Sequence, residues 1–263
     1  MQQTVYYCAI LGAKVDPFIM DQSGFEWTPD FWRNWRESKN PYRQYKSDRD
    51  RRLALELLRL RAGDRILEVG CGYGWISQVI WDAAKVEWYG VDRSVEMIQH
   101  LRATRSEQGA RSSIVDATQL PFCNSCFDKV LCTGVLMHIS QDARALREII
   151  RVLRPGGLLL CSFNNALSPF SLPVRLWNSR KKGFVQKFRF PATIRKILLE
   201  SGVEISGVAG DGIISTVPIS AGGFSFPPAW AFRGVQRIDE WAVNHFRWLA
   251  YEVWFSGTKS VRP

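Results

Sequence analysis

The chain has 263 residues, 46% of them hydrophobic and 23% charged, with a formal net charge of +10. That length suits one large α/β domain, or one domain with a small appendage, and the composition excludes a disordered or collagen-like chain. No apolar run approaches the ~20 residues of a membrane span, and the N-terminus carries no basic leader, so a soluble, cytoplasmic protein is expected.

Residues 1–46 read as an irregular, aromatic lid segment, with "DFWRNWRESKNPYRQY" as its distinctive part. The domain proper is expected over 47–263. It opens on a helix in "SDRDRRLALELLRLRAGD", capped by Ser47, Asp48 or Asp50 and ended by Gly63, with Leu53, Leu57, Leu58 and Leu60 on its apolar face. Strand and helix then alternate. Strands are predicted at 65–69, 86–92, 112–117, 127–134 and 158–163, and helices at 74–84, 94–108 (capped by Ser94) and 142–157 (stopped by Pro155 and glycines). After residue 163 the pattern changes to a basic, aromatic stretch over 164–190. A helix follows at 191–202, a strand at 203–209, a Gly/Pro/Ser-rich loop at 210–229, a helix near 233–246 and a last strand near 249–259. Such alternation calls for a doubly wound, Rossmann-like α/β fold: a seven-stranded, mostly parallel sheet with helices on both faces, plus N-terminal and C-terminal lid segments. The stretches 164–190 and 210–248 are read as acceptor-site insertions.

The strand "RILEV" runs into Gly70, Gly72 and Gly74 at alternate positions. Glycines there let the backbone turn sharply and approach a ligand closely, at the strand end where doubly wound sheets bind nucleotides. A dinucleotide turn would place its third glycine at position 75, which is Trp75, and the Lys-Ser/Thr end of a phosphate loop is missing. Asp92 follows eighteen residues after Gly74, where a carboxylate can accept both hydroxyls of a ribose. Asp116 ends the third strand, placed to accept from an exocyclic amine.

These pieces together resemble a class I S-adenosylmethionine-dependent methyltransferase of the type 11, small-molecule-acting group. "LEVGCGYG", "VEWYGVDRSVEMI", "VDATQLPF" and "FDKVLCTGVLMHI" match its first four motifs, and "LREIIRVLRPGGLLLCSF" the helix and strand that follow, covering about residues 50–165. The resemblance implies S-adenosyl-L-methionine as cofactor and S-adenosyl-L-homocysteine as product. Glu68, Gly70, Cys71, Gly72 and Gly74 would hold the methionine part, with Glu68 near its amino group. Asp92 would bind the ribose hydroxyls, Arg93 and Met97 would pack on the adenine, and Asp116 with the Ala117 amide would meet its edge. Thr133 and Gly134 would lie by the methyl group.

Methyl transfer from a sulfonium is a direct displacement, so alignment supplies much of the rate and a base helps only a protonated acceptor. His138, just past the fourth strand, is the candidate base. Asn164 is a candidate for orienting the acceptor, and Tyr42 and Tyr45 would reach the site from the lid. No "NPPY"-like or "DPPY"-like stretch follows the fourth strand, so oxygen is the expected methyl acceptor atom and carbon the second. No acidic cluster marks a metal. Cys123 and Cys126 read as two loop cysteines, since a lone C-x-x-C lacks the second pair of a zinc site. The eight Lys/Arg between Arg175 and Lys196 come without an acid and interleave with Trp177, Phe184, Phe188 and Phe190. That mixture suits an apolar acceptor bearing an acidic group, or contact with an anionic membrane surface. The alternatives are an RNA acceptor, disfavoured because no RNA-binding module is recognisable, and a non-catalytic binder of the cofactor or its product.

Overall fold

The computed structural model describes residues 28–105, 107, 111–178, 186–213 and 229–261. Its strands are β1 (Arg65–Val69), β2 (Glu87–Asp92), β3 (Ser112–Ile114), β4 (Phe127–Cys132), β5 (Leu153–Asn165), β6 (Phe188–Arg189), β7 (Val203–Asp211) and β8 (Glu252–Lys259). Its helices are α1 (Pro29–Arg36), α2 (Pro41–Leu58), α3 (Ser77–Ala83), α4 (Val95–Thr104), α5 (Asp142–Val152), α6 (Ser171–Asn178), α7 (Pro191–Glu200) and α8 (Phe232–His245). The sheet order is β3-β2-β1-β4-β5-β8-β7, with β8 antiparallel to both neighbours and β6 beside the end of β5. The expected seven-stranded, mostly parallel sheet is therefore present, with β6 as a two-residue addition. The strand order reverses between β1 and β4, and the carboxyl ends there are the place where open α/β sheets take ligands.

Period-two alternation assigns each strand's residues to opposite faces. Leu67, Val130, Leu159 and Phe255 join one core with Leu146 and Ile149 of α5 and Ile194 and Leu198 of α7. Their chain neighbours Ile66, Leu131, Leu160 and Trp254 join the other, with Leu58 of α2, Ile80 of α3 and Ile98 of α4. A strand buried on both sides is mostly apolar, as "RILEV" and "LLLCSF" are; their buried exceptions, Glu68 and Ser162, are both hydrogen-bonded.

Several boundaries differ from the expectation. The helix placed at Ser47 starts six residues earlier. Asn40 Oδ1 accepts from the Tyr42 and Arg43 amides, and Pro41, with no N–H to lose, occupies the first helical turn. The expected division between residues 46 and 47 thus falls inside α2, and residues 29–36 are helical instead of irregular. α2 ends at Arg59 in the left-handed region, before Gly63. The helix expected to run to residue 157 ends at Val152. There β5 begins, passes Pro155–Gly157 through a register shift, and re-pairs Leu158 with Lys129. Cys123 and Cys126, read as separate loop cysteines, are joined in a disulfide. Residues 1–27, Arg180, Lys181, Lys182, Phe184 and residues 214–228 lie outside the described residues.

Candidate active site

The glycine turn is clamped to the end of β2. The Gly70 and Cys71 amides both donate to the Val91 carbonyl, at 2.7 and 3.1 Å, and the Gly72 amide donates to Asp92 Oδ2 at 2.8 Å. Asp92 Oδ1 accepts from the Ser94 amide, 2.9 Å away, which also anchors the start of α4. Asp92 is half-buried, and burial raises its pKa against the pull of the Ser94 and Gly72 amides. Its oxygens keep lone pairs beyond these two bonds.

Gly70 has φ +75°, and a Cβ there would fall 2.1 Å from Val135 Cγ2. The turn and the loop after β4 therefore pack backbone to side chain with no room between them. A Cβ at Gly134 would meet nothing within 4 Å, and one at Gly72 only Met97 Sδ at 3.9 Å. The main chain is bare at these two strand ends, so a ligand can approach it closely. Gly134 is held by its amide, which donates to Ser162 Oγ on β5 at 2.9 Å. Trp75, the residue that breaks dinucleotide spacing, lies under the Arg51 guanidinium, 3.4 Å from its ring centroid.

Glu68 sits in β1, almost fully buried. Its Oε2 accepts from Ser77 Oγ at 2.6 Å and from Trp88 Nε1 at 2.9 Å. Burial pushes its carboxyl up to about 7, although both bonds favour the ionised form. Sequence reading singled out neither Ser77 nor Trp88; a hydroxyl opening α3 and an indole in β2 become partners only once the strands pair. Around the same edge, Met97 is buried, Ala117 and Thr133 are half-buried, and Arg93 and Asp116 are exposed. Asp116 Oδ1 accepts from the Thr118 amide at 2.7 Å. The structure thus brings Glu68, the glycine turn, Asp92 and Met97 to one strand edge around bare backbone, an arrangement that fits an adenosyl ligand with a ribose and an ammonium group.

Beyond β4, His138 closes the short 3-10 turn Leu136–His138, half-buried, its amide bonded to the Val135 carbonyl at 2.8 Å. β6 lies alongside. The Lys187 amide donates to the Met137 carbonyl, Phe188 pairs with Asn164, and the Phe188 ring meets Tyr251 edge-on at 5.6 Å. Asn164 is 2% exposed, and its Nδ2 has no hydrogen-bond partner among the described residues. Asn165, by contrast, has a structural role: its Nδ2 donates to the Trp248 and Ala250 carbonyls and its Oδ1 accepts from the Leu167 amide.

Tyr42 and Tyr45 are not on an irregular lid. Both are buried in α2 with rings edge-on to Phe232, and burial pushes the Tyr45 phenol up to about 12. One turn on, Lys46 Nζ lies 2.5 Å from Asp50 Oδ1, 2.5 Å from Asp211 Oδ2 and 2.7 Å from Glu252 Oε2. Arg36 pairs with Asp50, and Arg49 with Asp211. Asp50, Asp211 and Glu252 are a convergent acidic cluster that sequence reading did not find, with ligand oxygens all within 4.8 Å of one another. The Lys46 ammonium hydrogen-bonds Asp50 and Glu252 and is ion-paired with Asp211, so a protein cation stands among the three carboxylates. Burial alone would lower the Lys46 pKa, but the three carboxylates outweigh it and hold it above the usual range. Asp211, Glu252 and Asn164 face one another in register across β7, β8 and β5.

Residues 67–161 match the family model described as "Methyltransferase domain". Among curated proteins, the chain is 33% identical over 132 residues to the 27-O-demethylrifamycin SV methyltransferase of Amycolatopsis mediterranei, covering 48% of each chain. It is 35% identical over 123 residues to the demethylmenaquinone methyltransferase of Symbiobacterium thermophilum, covering 44% of this chain and 47% of that one. The chain spans about half the length of these curated relatives. Among solved structures, the S-adenosylmethionine-dependent methyltransferase of Mesorhizobium loti superposes with a TM-score of 0.61 at 19% identity, over 81% of this chain and 98% of that chain. That likeness concerns the fold.

Proposed function

We propose that this chain, whose residues 67–161 match the methyltransferase-domain family model, is a class I methyltransferase dependent on S-adenosyl-L-methionine and transfers a methyl group to a small-molecule acceptor, most readily at oxygen. The observation that carries the reading is the Gly72–Asp92 bond. It sets a carboxylate for a ribose beside bare backbone at the switch point of the sheet. In this reading Glu68 faces the ammonium of the methionine part and Gly70–Gly74 carry its backbone. Asp92 takes the ribose, Arg93, Met97, Asp116 and Ala117 bound the adenine, and Thr133 and Gly134 lie under the reacting methyl.

S-adenosyl-L-methionine, when bound, would supply the methyl on a sulfonium, with S-adenosyl-L-homocysteine as the neutral leaving group. The chain's task is alignment and, for a hydroxyl acceptor, removal of the proton, which His138 takes in this proposal. Asn164, a buried amide donor opposite Phe188, orients an acceptor oxygen. Phe188 and Tyr251 supply apolar walls, and Lys187 favours an acidic substituent, Arg189 being ion-paired with Asp142. Residues 1–46 act as the lid and 164–190 with 210–248 as the acceptor-specific parts, with α2 continuous across the lid boundary. The net charge of +10 favours, as a second reading, an RNA acceptor.

The test is incubation with methyl-labelled cofactor, with RNA in one arm and small-molecule extracts in the other. Label in the small-molecule arm supports the proposal, and label entering RNA alone overturns it. His138→Ala should slow transfer to a hydroxyl acceptor most at neutral to mildly alkaline pH, where the imidazole is neutral, and least at low pH, where the parent base is already protonated; an unchanged pH profile would remove the base role.

A further inference from the structure

α8 has two dissimilar sides. Its inward arc buries Ala242 and Val243 and also its two acids: Asp239, which accepts from the Ile213 amide, and the half-buried Glu240, which accepts from Gln236. Its outward arc carries Arg233, Arg237, Ile238 and Trp241 at helical spacing, with Ile238 57% and Trp241 56% exposed. Trp230, 87% exposed, precedes the helix, and Trp248, exposed though its ring meets Phe255 edge-on, follows it. Large apolar side chains are uncommon on the outside of a helix, and a run of them rimmed by cations and free of exposed acids is less common still.

We propose that this face docks on an anionic phospholipid bilayer, with α8 lying in the plane of the interface. Trp and Ile side chains suit the headgroup–acyl boundary, where an indole can be half wet and half apolar. Arg233 and Arg237 flank them to meet lipid phosphates, each adding attraction near a negatively charged surface. A second copy of the chain is a poor occupant, because a self-paired face would set Arg233 and Arg237 against their own copies. The inference is independent of which acceptor is methylated, but it does place the protein where an apolar, acid-bearing acceptor dissolves.

Flotation of the full chain with phosphatidylcholine vesicles, and with vesicles that also contain phosphatidylglycerol, tests it. Binding is expected only to the mixed vesicles and should weaken with salt. Arg233→Gln with Arg237→Gln should lower affinity about thirtyfold, and Trp230→Ser with Trp241→Ser about tenfold. Both pairs should leave affinity for S-adenosyl-L-methionine unchanged, which verifies the fold. No binding to the mixed vesicles, binding untouched by both pairs, or a dimer dispersed by the Trp pair would each overturn the proposal.

Discussion

The Gly72 amide donates to Asp92 Oδ2 at 2.8 Å, so the turn after β1 and the last residue of β2 form one unit. Asp92→Ala removes this acceptor and that for the Ser94 amide together. Affinity for S-adenosyl-L-methionine should fall at least thirtyfold, about 2 kcal/mol or more, as expected for lost charge-assisted bonds. Asp92→Asn keeps one oxygen and should retain intermediate affinity. Titration calorimetry checks both; unchanged affinity in the alanine variant would move the ribose site elsewhere.

Gly70 and Gly72 separate packing from backbone strain. Both have positive φ, but a Cβ at Gly70 would clash with Val135 whereas one at Gly72 meets only Met97 Sδ at van der Waals distance. Gly72→Ala should cost about 1–2 kcal/mol of stability from the left-handed backbone alone. Gly70→Ala should cost about 1–3 kcal/mol more, because the turn must move off the β4 loop. Denaturant midpoints would read the difference, and equal losses would refute the close approach.

Glu68 makes stability depend on pH. Its folded pKa, about 7, lies above the ordinary 4.5, so the folded state binds more protons between those values and stability falls as pH rises through them. Glu68→Gln keeps an oxygen for Ser77 and Trp88 and cannot ionise. It should match the parent below pH ~4.5 and exceed it above pH ~7, by on the order of 3 kcal/mol. The same variant should bind the cofactor more weakly at high pH, since the ammonium loses its counter-charge. Stability curves at several pH values, in the absence of cofactor, check the sign.

Lys46→Met leaves Asp50, Asp211 and Glu252 without their shared ammonium. Removing one partner from a buried ion network costs about 3–5 kcal/mol. The carboxylates then rise in pKa, so the variant's deficit should shrink as pH falls and they take up protons. Burial already lifts Asp211 to about 6 in the parent, against the pull of Lys46. A deficit that stays constant from pH 8 to pH 5 would contradict the account.

What was legible in the chain follows from where side chains had to go. β1, β2, β4 and the glycine turn were readable because a strand buried on both faces is mostly apolar, and because Gly70, Gly72 and Gly74 mark a turn of positive φ that side chains disfavour. The start of α2 was not readable from hydrophobic periodicity, because its first turns bury polar groups: Tyr42, Lys46, Ser47 and Asp50. The local signal that would have found it was Asn40-Pro41, a capping side chain followed by a proline. The ion cluster joins residues 46, 50, 211 and 252, and only the sheet order makes the last two neighbours. Glu68 was picked out as charged and near a ligand, but its environment depends on Trp88, which reaches it across β2.

Among the described strands β8 comes latest in the chain, yet it lies between β5 and β7 and hydrogen-bonds both. During synthesis the β3-β2-β1-β4-β5 half can assemble from local βαβ units, while β5 and β7 wait with bare edges for residues 252–259. A chain interrupted before residue 252 would expose two ladders of unpaired amides and carbonyls together with the apolar surfaces that Phe255 covers on one face of the sheet and Trp254 on the other. Closure of the described sheet thus depends on residues 252–259, and chains cut before them should aggregate.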